Sequence, residues 1–193
     1  MVKMSNTLKY TIFLIVLGLI SGGLLAFINS ITDPIIQERK EKEIQDKLID
    51  AFPGFSSTKE VTSEFDDLGN NIGAIYLVGN EDGKLLTVVY EVYANGYGGK
   101  VVTLIGFNPE GKIVNAVVAD ASTETKGFGS ELIGHDFKIN DLEVIDFDFF
   151  NSAQIISGAT VSSTAAGTGI NAGVYHFNQN KDVLIEMVVK AND

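Results

Sequence analysis

The 193-residue sequence contains no cysteine and no tryptophan. Without cysteine the chain has no disulfide, no thiolate-ligated metal or iron–sulfur cluster, no cysteine nucleophile and no lipid-modified cysteine. Histidine is also scarce, since only His135 and His176 are present, and they lie too far apart in sequence for an i, i+3 or i, i+4 ligand pair. That spacing is typical of ordinary buried or exposed histidines, so we expect no metal site.

Arginine occurs once, at Arg39, and the chain has a formal net charge of -11. The acidic residues are concentrated in residues 51–193, which contain 8 lysines and 19 aspartates and glutamates. Arginine is the usual residue for bidentate contacts with phosphates and base edges, and an acidic surface repels nucleic acid. The composition therefore excludes nucleic acid as an expected partner.

Residues 11–28 form an apolar run without a charged side chain, and residues 8–31 extend it with only Lys9 charged. This length reaches across the hydrocarbon core of a bilayer, so we predict a transmembrane helix. A cleaved signal peptide is the competing interpretation. The apolar run is longer than the usual signal-peptide core and no clear A-x-A site follows it, which favours an uncleaved anchor.

Charge does not decide which side of the membrane each end of this helix occupies. Two lysines precede the helix, and one arginine and three lysines follow it within about 20 residues, interspersed with acidic residues. Gly18 and Gly22 have the small-xxx-small spacing that permits close approach of another membrane helix. Glycine is also common in membrane helices generally, so this spacing indicates either a packing face for partner subunits or ordinary membrane-helix composition.

Residues 35–52 show helical periodicity with charge pairs at i, i+3 and i, i+4. Asp33 is a plausible N-cap and Pro34 a plausible first helical residue, and Pro53-Gly54 would end the helix. We predict a helical stalk here, followed by a loop or weak strand over residues 56–73.

The period then changes to two. Turn-forming clusters at 80–83, 95–99 and 108–111 separate four runs of β-branched and aromatic residues of strand length, at 72–79, 84–93, 101–107 and 113–119. Links this short predict antiparallel hairpins. Helices are predicted at 130–133 and 162–178, and 183–190 can form a last strand or helix. The expected fold class is α+β, with an antiparallel sheet packed with helices.

Residues 155–163 place several hydroxyl groups at one strand-to-helix junction. The simplest interpretation is a helix cap, because serine and threonine hydroxyls satisfy free backbone N–H groups of a first helical turn. The same junction suits a phosphate, since small residues and exposed N–H groups attract anions. No G-x-S-x-G motif accompanies it, so a serine hydrolase is not expected, and no catalytic residue is predicted.

Three segments carry a resemblance to a known family. The residues Ser157-Gly158-Ala159-Thr160 match the flavinylation motif of the FMN-binding domain family, in which the last threonine carries FMN through a phosphoester bond. The segment 96–99, G-Y-G-G, resembles a turn of that family, and 124–129, E-T-K-G-F-G, resembles its E-T-P-G-L-G loop. The three segments occur in the family's order after a single membrane helix. The chain has Lys126 where the family usually has proline, Phe128 where it has leucine, and Gln154 where many members have aspartate.

The resemblance implies a cofactor, FMN, bound covalently to Thr160. It also implies roles for the residues around that threonine. The phosphate or its turn would be supported by Ser157, Ser162 and Ser163, while Gly158 and Ala159 keep the approach open. The isoalloxazine or ribityl region would be lined by Glu124, Thr125, Gly127 and Phe128, with Tyr97 and Gly98 from the glycine-rich turn.

Over nearly its whole length the chain is similar to the G subunits of Rnf electron transport complexes and, less closely, to the C subunits of sodium-pumping NADH:quinone reductases. The resemblance implies an electron carrier within a membrane-bound ferredoxin:NAD oxidoreductase that translocates ions, with no enzyme activity of its own. The implied partners are the other complex subunits and a flavin transferase. The implied layout is a transmembrane anchor at 1–31 with a cytoplasmic N-terminus, a helical stalk at 32–55 and an extracytoplasmic FMN-binding domain at 56–193.

Two alternatives remain open. A membrane-anchored sensory or ligand-binding domain without redox activity would carry no covalent flavin. A purely structural subunit would be insensitive to replacement of Thr160.

Overall fold

The computed structural model describes residues 6–52, 54–80 and 85–190. The predicted turn at 80–83 and the predicted strand start at Lys84 lie mostly outside these residues, as does Pro53. Two 3₁₀ turns, Thr62–Glu64 and Gly129–Leu132, accompany the regular elements. In chain order these elements are α1 (Asn6–Ala51), β1 (Phe55–Glu60), β2 (Ile72–Asn80), β3 (Leu85–Asn95), β4 (Lys100–Phe107), β5 (Ile113–Asp120), α2 (Phe149–Ser152) and α3 (Thr160–Lys190).

The five strands form one sheet in the order β1-β2-β3-β4-β5, and every neighbouring pair is antiparallel. The predicted α+β class is therefore confirmed, and the four predicted strands match β2 to β5 within two residues at each end. The segment 56–73 was expected to be a loop or weak strand, and its first part is the edge strand β1. Pairing with β2 supplies the backbone hydrogen bonds of β1, and that stabilisation is not visible in the polar sequence F-S-S-T-K-E.

Helix α3 packs along one face of the sheet, mainly against β3 and β4. Two glycines allow this close approach: a Cβ at Gly169 would lie 3.2 Å from the backbone nitrogen of Tyr93, and one at Gly173 would lie 3.1 Å from Cγ1 of Val92. The helix runs to Lys190, so residues 183–190 are helical rather than a strand. Leu184 and Val188 are buried at i, i+4 spacing, which fits a helix and not an alternating strand.

The opposite face of the sheet is covered by the C-terminal end of α1. Leu48, Ala51 and Phe52 are buried there, and the Phe52 ring occupies the space beside Gly106, where a Cβ would lie 2.3 Å from the ring. Asn115 Nδ2 donates a hydrogen bond to the Ala51 carbonyl oxygen over 2.7 Å. The chain divides into two compact units after Ile44, so these last turns of α1 belong with the sheet.

Helix α1 continues through Asp33 and Pro34, so the predicted helix start at these residues is wrong. A proline inside a helix lacks the N–H that would bond the carbonyl one turn earlier. In that preceding turn, Ser30 Oγ donates to the Phe27 carbonyl over 2.8 Å and Thr32 Oγ1 to the Ile28 carbonyl over 2.9 Å. The missing hydrogen bond is one of many in a 46-residue helix, which is why the helix tolerates it.

The segment Leu8–Pro34 of α1 is long and apolar enough to cross a membrane, and it includes the predicted transmembrane run. Its apolar side chains, such as Phe13, Leu19 and Leu25, are exposed rather than packed in a protein core. A hydrocarbon environment satisfies such a surface, so the helix is suited to membrane association.

A buried polar pair lies between α3 and the sheet. Tyr90 Oη and His176 Nδ1 are 2.9 Å apart, and both side chains are buried. Burial lowers the pKa of the His176 imidazole below its usual value, although the nearby Asp67 opposes this shift. Burial also raises the pKa of the Tyr90 hydroxyl well above its usual value, so the pair is neutral at physiological pH.

The His176 environment predicts a pH-dependent loss of stability. Because the folded-state pKa is lowered, the unfolded chain binds a proton more readily, and stability present above a pH of about 6.5 is lost as the pH falls below it. We expect His176→Gln to flatten this part of the curve when the free energy of unfolding is measured between pH 7.5 and 5. The pKa of the Glu124 carboxyl is also lowered, but the loss of stability that this causes begins only as the pH falls below the ordinary pKa of 4.5. Equal slopes above pH 5 in the two proteins would contradict the assignment.

Candidate functional site

The hairpin between β3 and β4 turns through the glycine-rich residues 96–99, with Asn95 paired to Lys100 in the last register position. The loop after β5 packs directly against this turn. A Cβ at Gly98 would lie 2.0 Å from the Thr123 carbonyl oxygen, and one at Gly99 would lie 2.4 Å from Thr123 Oγ1. The glycines are therefore required by the contact between the two loops, and this contact positions Glu124 beneath the turn.

The Glu124 side chain is buried, with 6% of its surface exposed, and its two carboxylate oxygens bind the turn. Oε1 accepts hydrogen bonds from the backbone N–H groups of Gly98 at 2.9 Å and Gly99 at 3.2 Å. Oε2 accepts one from the backbone N–H of Tyr97 at 3.3 Å and a short one from Ser162 Oγ. One carboxylate thus connects the hairpin turn with the first turn of α3.

Burial acts to raise the pKa of the Glu124 carboxyl. The hydrogen bonds from Ser162 and from the N–H groups of Gly98, Gly99 and Tyr97 act in the opposite direction and prevail, so the pKa lies below its usual value. Glu124 is therefore a carboxylate at neutral pH, because hydrogen bonds to the charged form favour that form.

The loop that follows Glu124 carries an exposed aromatic ring. Gly127 has φ +80°, which favours glycine, and its N–H donates to Ser130 Oγ over 3.0 Å. Phe128 follows with 57% of its surface exposed, and its N–H donates to the Thr125 carbonyl over 3.1 Å. The loop geometry thus holds a phenylalanine ring at the protein surface, where burial does not explain it.

Helix α3 begins at Thr160, two residues before the predicted start. Ala159 occupies the N-cap position, since its carbonyl accepts the first helical hydrogen bond from the N–H of Ser163 over 2.8 Å. The N–H groups of Thr160, Val161 and Ser162 have no hydrogen-bond acceptor among the described residues, as expected for the first turn of a helix. Free backbone N–H groups at a helix N-terminus are an arrangement that binds anions.

Three further features surround this helix start. Gly158 has φ +86°, so the chain turns sharply just before Thr160. The Thr160 side chain is exposed, whereas those of Ser162 and Ser163 are buried. Ser163 Oγ is one of two buried side-chain oxygens without a hydrogen-bond partner in the described part of the chain, the other being Thr103 Oγ1.

The approach to Thr160 is anchored by α2, which the sequence did not predict. Asp148 caps α2 by accepting from the N–H of Phe150, and it also accepts from Asn171 Nδ2 of α3 over 2.8 Å. Farther along, the Gln154 N–H donates to the Phe137 carbonyl over 2.9 Å, and the Gln154 carbonyl accepts from His135 Nε2 over 2.8 Å. An aspartate at the start of a short Phe-Phe-Asn-Ser segment was the available signal for this helix.

An open cavity of about 310 Å³ lies beside Thr160. It is lined by Tyr97, Thr125, Phe128, Gly129, Gly158, Ala159, Thr160, Val161 and Ser162. None of these side chains is charged, and the two aromatic rings are exposed, with 77% of the Tyr97 surface accessible. The volume falls at the lower end of ordinary ligand pockets, which span about 300 to 1,000 Å³.

The residues present fit an FMN group. Exposed aromatic rings suit a flat heteroaromatic ring, small residues leave room beside the Thr160 hydroxyl, and unbonded N–H groups at a helix start suit a phosphate. The buried hydroxyl of Ser163, three residues after Thr160, has no hydrogen-bond partner among the described residues and is a further free hydrogen-bonding group close to the helix start.

The structure brings most of the sequence-predicted site residues to one place. Seven line the cavity: Tyr97, Thr125, Phe128, Gly158, Ala159, Thr160 and Ser162. Glu124 and Gly98 lie behind it rather than in its lining, because the Glu124 carboxylate is engaged beneath the turn. The lining does not include Ser157, Gly127 and Ser163. It does include Gly129 and Val161, which sequence reasoning missed, although Gly129 is the last residue of the matched E-T-K-G-F-G segment and Val161 adjoins Thr160.

Comparison with known proteins places this geometry in context. Residues 96–174 match the FMN-binding domain family. The G subunit of the proton-translocating ferredoxin:NAD(+) oxidoreductase complex of Clostridium ljungdahlii is 25% identical over 165 residues, which cover 80% of this chain and 83% of that protein. The G subunit of the ion-translocating oxidoreductase complex of Shewanella baltica is 25% identical over an alignment of 204 residues, covering 92% of this chain and 93% of that protein. The corresponding protein of Shewanella oneidensis is 24% identical, covering 90% and 91%. The chain thus matches the FMN-binding domain family over residues 96–174 and is similar over most of its length to G subunits of ion-translocating oxidoreductase complexes.

Proposed function

We propose that this chain is an electron-carrying flavoprotein subunit of a membrane-bound, ion-translocating ferredoxin:NAD oxidoreductase complex of the Rnf type, with FMN bound covalently to Thr160. The observation that carries the proposal is the position of Thr160. Its exposed side chain belongs to the first residue of α3 and lines an uncharged cavity in the segment that matches the FMN-binding domain family. The G subunits to which the chain is similar support the assignment to such a complex.

The attachment is a phosphoester between Thr160 Oγ1 and the phosphorus of FMN. As that bond forms, the hydroxyl proton leaves and the phosphorus loses the leaving group of an activated flavin nucleotide, which a flavin transferase supplies. The phosphodiester keeps one negative charge. The free N–H groups at the start of α3 stabilise it by roughly 0.3 to 1 kcal/mol when exposed, and by more when partly buried.

The small residues before Thr160 give the transferase access. Gly158 and Ala159 present little or no side chain, and Gly158 turns the chain just before the helix begins. Ser162 is already bonded to Glu124, so it holds the helix start in place rather than competing as an acceptor of the flavin. Among the hydroxyls that line the cavity, Thr160 is the exposed one at the helix terminus.

Bound FMN supplies reversible acceptance of electrons, and this chain's residues orient and shield it. Phe128 and Tyr97 offer ring faces for stacking at the mouth of the cavity, which covers apolar surface that is otherwise in water. The cavity is open to solvent, so an electron can pass to a centre on another subunit without release of the flavin.

The proposed layout has a membrane anchor at residues 1–31 with the N-terminus in the cytoplasm, a stalk at 32–55 and an extracytoplasmic FMN-binding domain at 56–193. A covalent bond suits this location, since a cofactor that dissociates outside the cytoplasm is lost to the cell. The partners are the other subunits of the complex.

The mass of the intact protein from its native host tests the proposal. We expect the mass to exceed that of the polypeptide by one FMN less one water, with the flavin retained after denaturation and mapped to the peptide containing Thr160. The matched control is the same chain produced in cells without a flavin transferase, which should have the polypeptide mass. An unmodified protein from cells that make the transferase would contradict the proposal and favour a sensory or structural role.

A further inference from the structure

A buried negative charge lies immediately behind the cavity wall. Two lining residues, Gly129 and Ser162, lie next to the Glu124 carboxylate: Ser162 Oγ donates to it, and a Cβ at Gly129 would lie 2.6 Å from Oε2. Gly129 has no side chain, and the Glu124 carboxylate lies where a Cβ would project. A full negative charge therefore lies next to two residues that line the cavity.

We propose that Glu124 is a positioning residue with an electrostatic effect: it fixes the turn 96–99 to the start of α3, and its charge makes a flavin in the cavity harder to reduce. The second half rests on the proposed function, whereas the first concerns the polypeptide alone.

The positioning role follows from the distribution of hydrogen bonds over the two oxygens. Three backbone N–H groups of the turn and the Ser162 hydroxyl all donate to this one side chain. The turn belongs to the β3–β4 hairpin, whereas Ser162 lies more than 60 residues later in α3. The turn contributes Tyr97 to the cavity and the helix start contributes Thr160, so the carboxylate links two of the segments that line the cavity.

The electrostatic effect follows from the absence of a counter-ion. All four donors to Glu124 are neutral, and no lysine or arginine among residues 6–52, 54–80 and 85–190 forms an ion pair with it. Neutral dipoles stabilise the charge locally but do not cancel its field at longer range. An electron added in the cavity is therefore repelled, and a buried position screens that repulsion less than an exposed one.

Three substitutions separate the two effects in the full-length protein. Glu124→Gln removes the charge with little change of shape, and its amide oxygen can still accept from the turn. Glu124→Ala removes the acceptor as well. The control, Glu131→Gln, removes one formal charge from an exposed side chain of the neighbouring 3₁₀ turn. It matches the change in net charge and leaves the hydrogen bonds of Glu124 in place.

The positioning role is measured by amide hydrogen exchange on protein made without flavin transferase. We expect the exchange rate of the amides at 97–99 to rise tenfold or more in Glu124→Ala, and to stay at the wild-type value in Glu131→Gln. Unchanged exchange in Glu124→Ala would overturn this half of the proposal. The result does not depend on whether the protein ever binds a flavin.

The electrostatic effect is measured on the flavinylated proteins by reductive titration with dithionite against a reference dye. For Glu124→Gln we expect the equilibrium to favour the reduced flavin by roughly tenfold more than in wild type, a rise of about 59 mV for one electron. We expect Glu131→Gln to match the wild type. Equal potentials in Glu124→Gln and wild type would overturn the effect, as would an equal rise in both variants. Failure of wild type itself to acquire flavin would contradict the proposed function instead, while the exchange experiment would still decide the positioning role.

Discussion

Protein with Thr160 replaced by alanine will contain no covalent flavin when produced with an active flavin transferase. The substitution removes the oxygen of the proposed phosphoester, and the other hydroxyls of the lining are poor substitutes. Ser162 Oγ is buried and donates to Glu124, and Thr125 lies on a loop rather than at a helix N-terminus. Intact mass, together with flavin fluorescence of the denatured protein on a gel, measures the loss. We expect it to be complete, with little effect on stability because the Thr160 side chain is exposed.

Two control variants make this result specific. Thr164→Ala introduces the same change at another exposed threonine of the first turns of α3, and it should retain full flavin content. Thr160→Ser retains a hydroxyl at the same backbone position and should retain at least part of it. A Thr160→Ala protein that still carries flavin would contradict the assignment, and the modified peptide would then identify the true attachment residue.

The sheet could be predicted from the sequence because its signals are local. Strands β2 to β5 are short β-branched runs separated by turn-forming clusters, and antiparallel pairing of consecutive strands follows from links of that length. The edge strand β1 lacks such a pattern, and it is defined by its pairing partner. The same holds for the path of α1, where Pro34 was a reasonable local signal for a helix start, and the continuous hydrogen bonding on both sides overrides it.

The candidate site was predictable only in part, for a similar reason. The position of Thr160 at a helix start follows from the small and hydroxyl-rich segment around it. The role of Glu124 does not, since the carboxylate bonds a turn 25 to 27 residues earlier and a serine 38 residues later. Nothing in the local sequence marks a glutamate as buried, and an isolated glutamate is normally exposed. The three glycines that enclose this side chain, Gly96, Gly98 and Gly129, make sense only once the loops are seen in contact.

In the candidate site, the residues that line the cavity differ from those that hold the lining in place. The residues that face the cavity are uncharged and mostly small or aromatic, so the proposed flavin would be accessible from outside. Two sets of contacts outside the lining hold the start of α3: Glu124 accepts from Ser162, and α2 contacts α3 through Asp148 and Phe149. A change behind the cavity is therefore expected to alter the site without touching the flavin, and the core beneath α2 offers the strongest example.

Replacing Phe149 with alanine will destabilise the domain and loosen the segment that leads to Thr160. The Phe149 ring is fully buried, packs edge to face on Phe137 with centroids 5.1 Å apart, and fills the space beside Gly167, where a Cβ would lie 2.3 Å from the ring. Removal of such a ring costs roughly 3 to 5 kcal/mol. For a domain of this size each kcal/mol lowers the melting temperature by about 2 to 4 °C. Thermal unfolding of the full-length protein in detergent, followed by near-ultraviolet circular dichroism, measures the effect.

The adjacent residue provides the matched control, because Phe150 lies on the same short helix with 53% of its surface exposed. Phe150→Ala removes the same atoms from a largely solvated position, so we expect a loss of less than about 1 kcal/mol. Equal losses in the two variants would contradict the packing described for α2. If Phe149→Ala also acquires less flavin than Phe150→Ala at a temperature where both are folded, the geometry of Thr160 depends on the core beneath α2. Equal flavin content at that temperature would instead show that the turn at Gly158 and the start of α3 are sufficient to present Thr160.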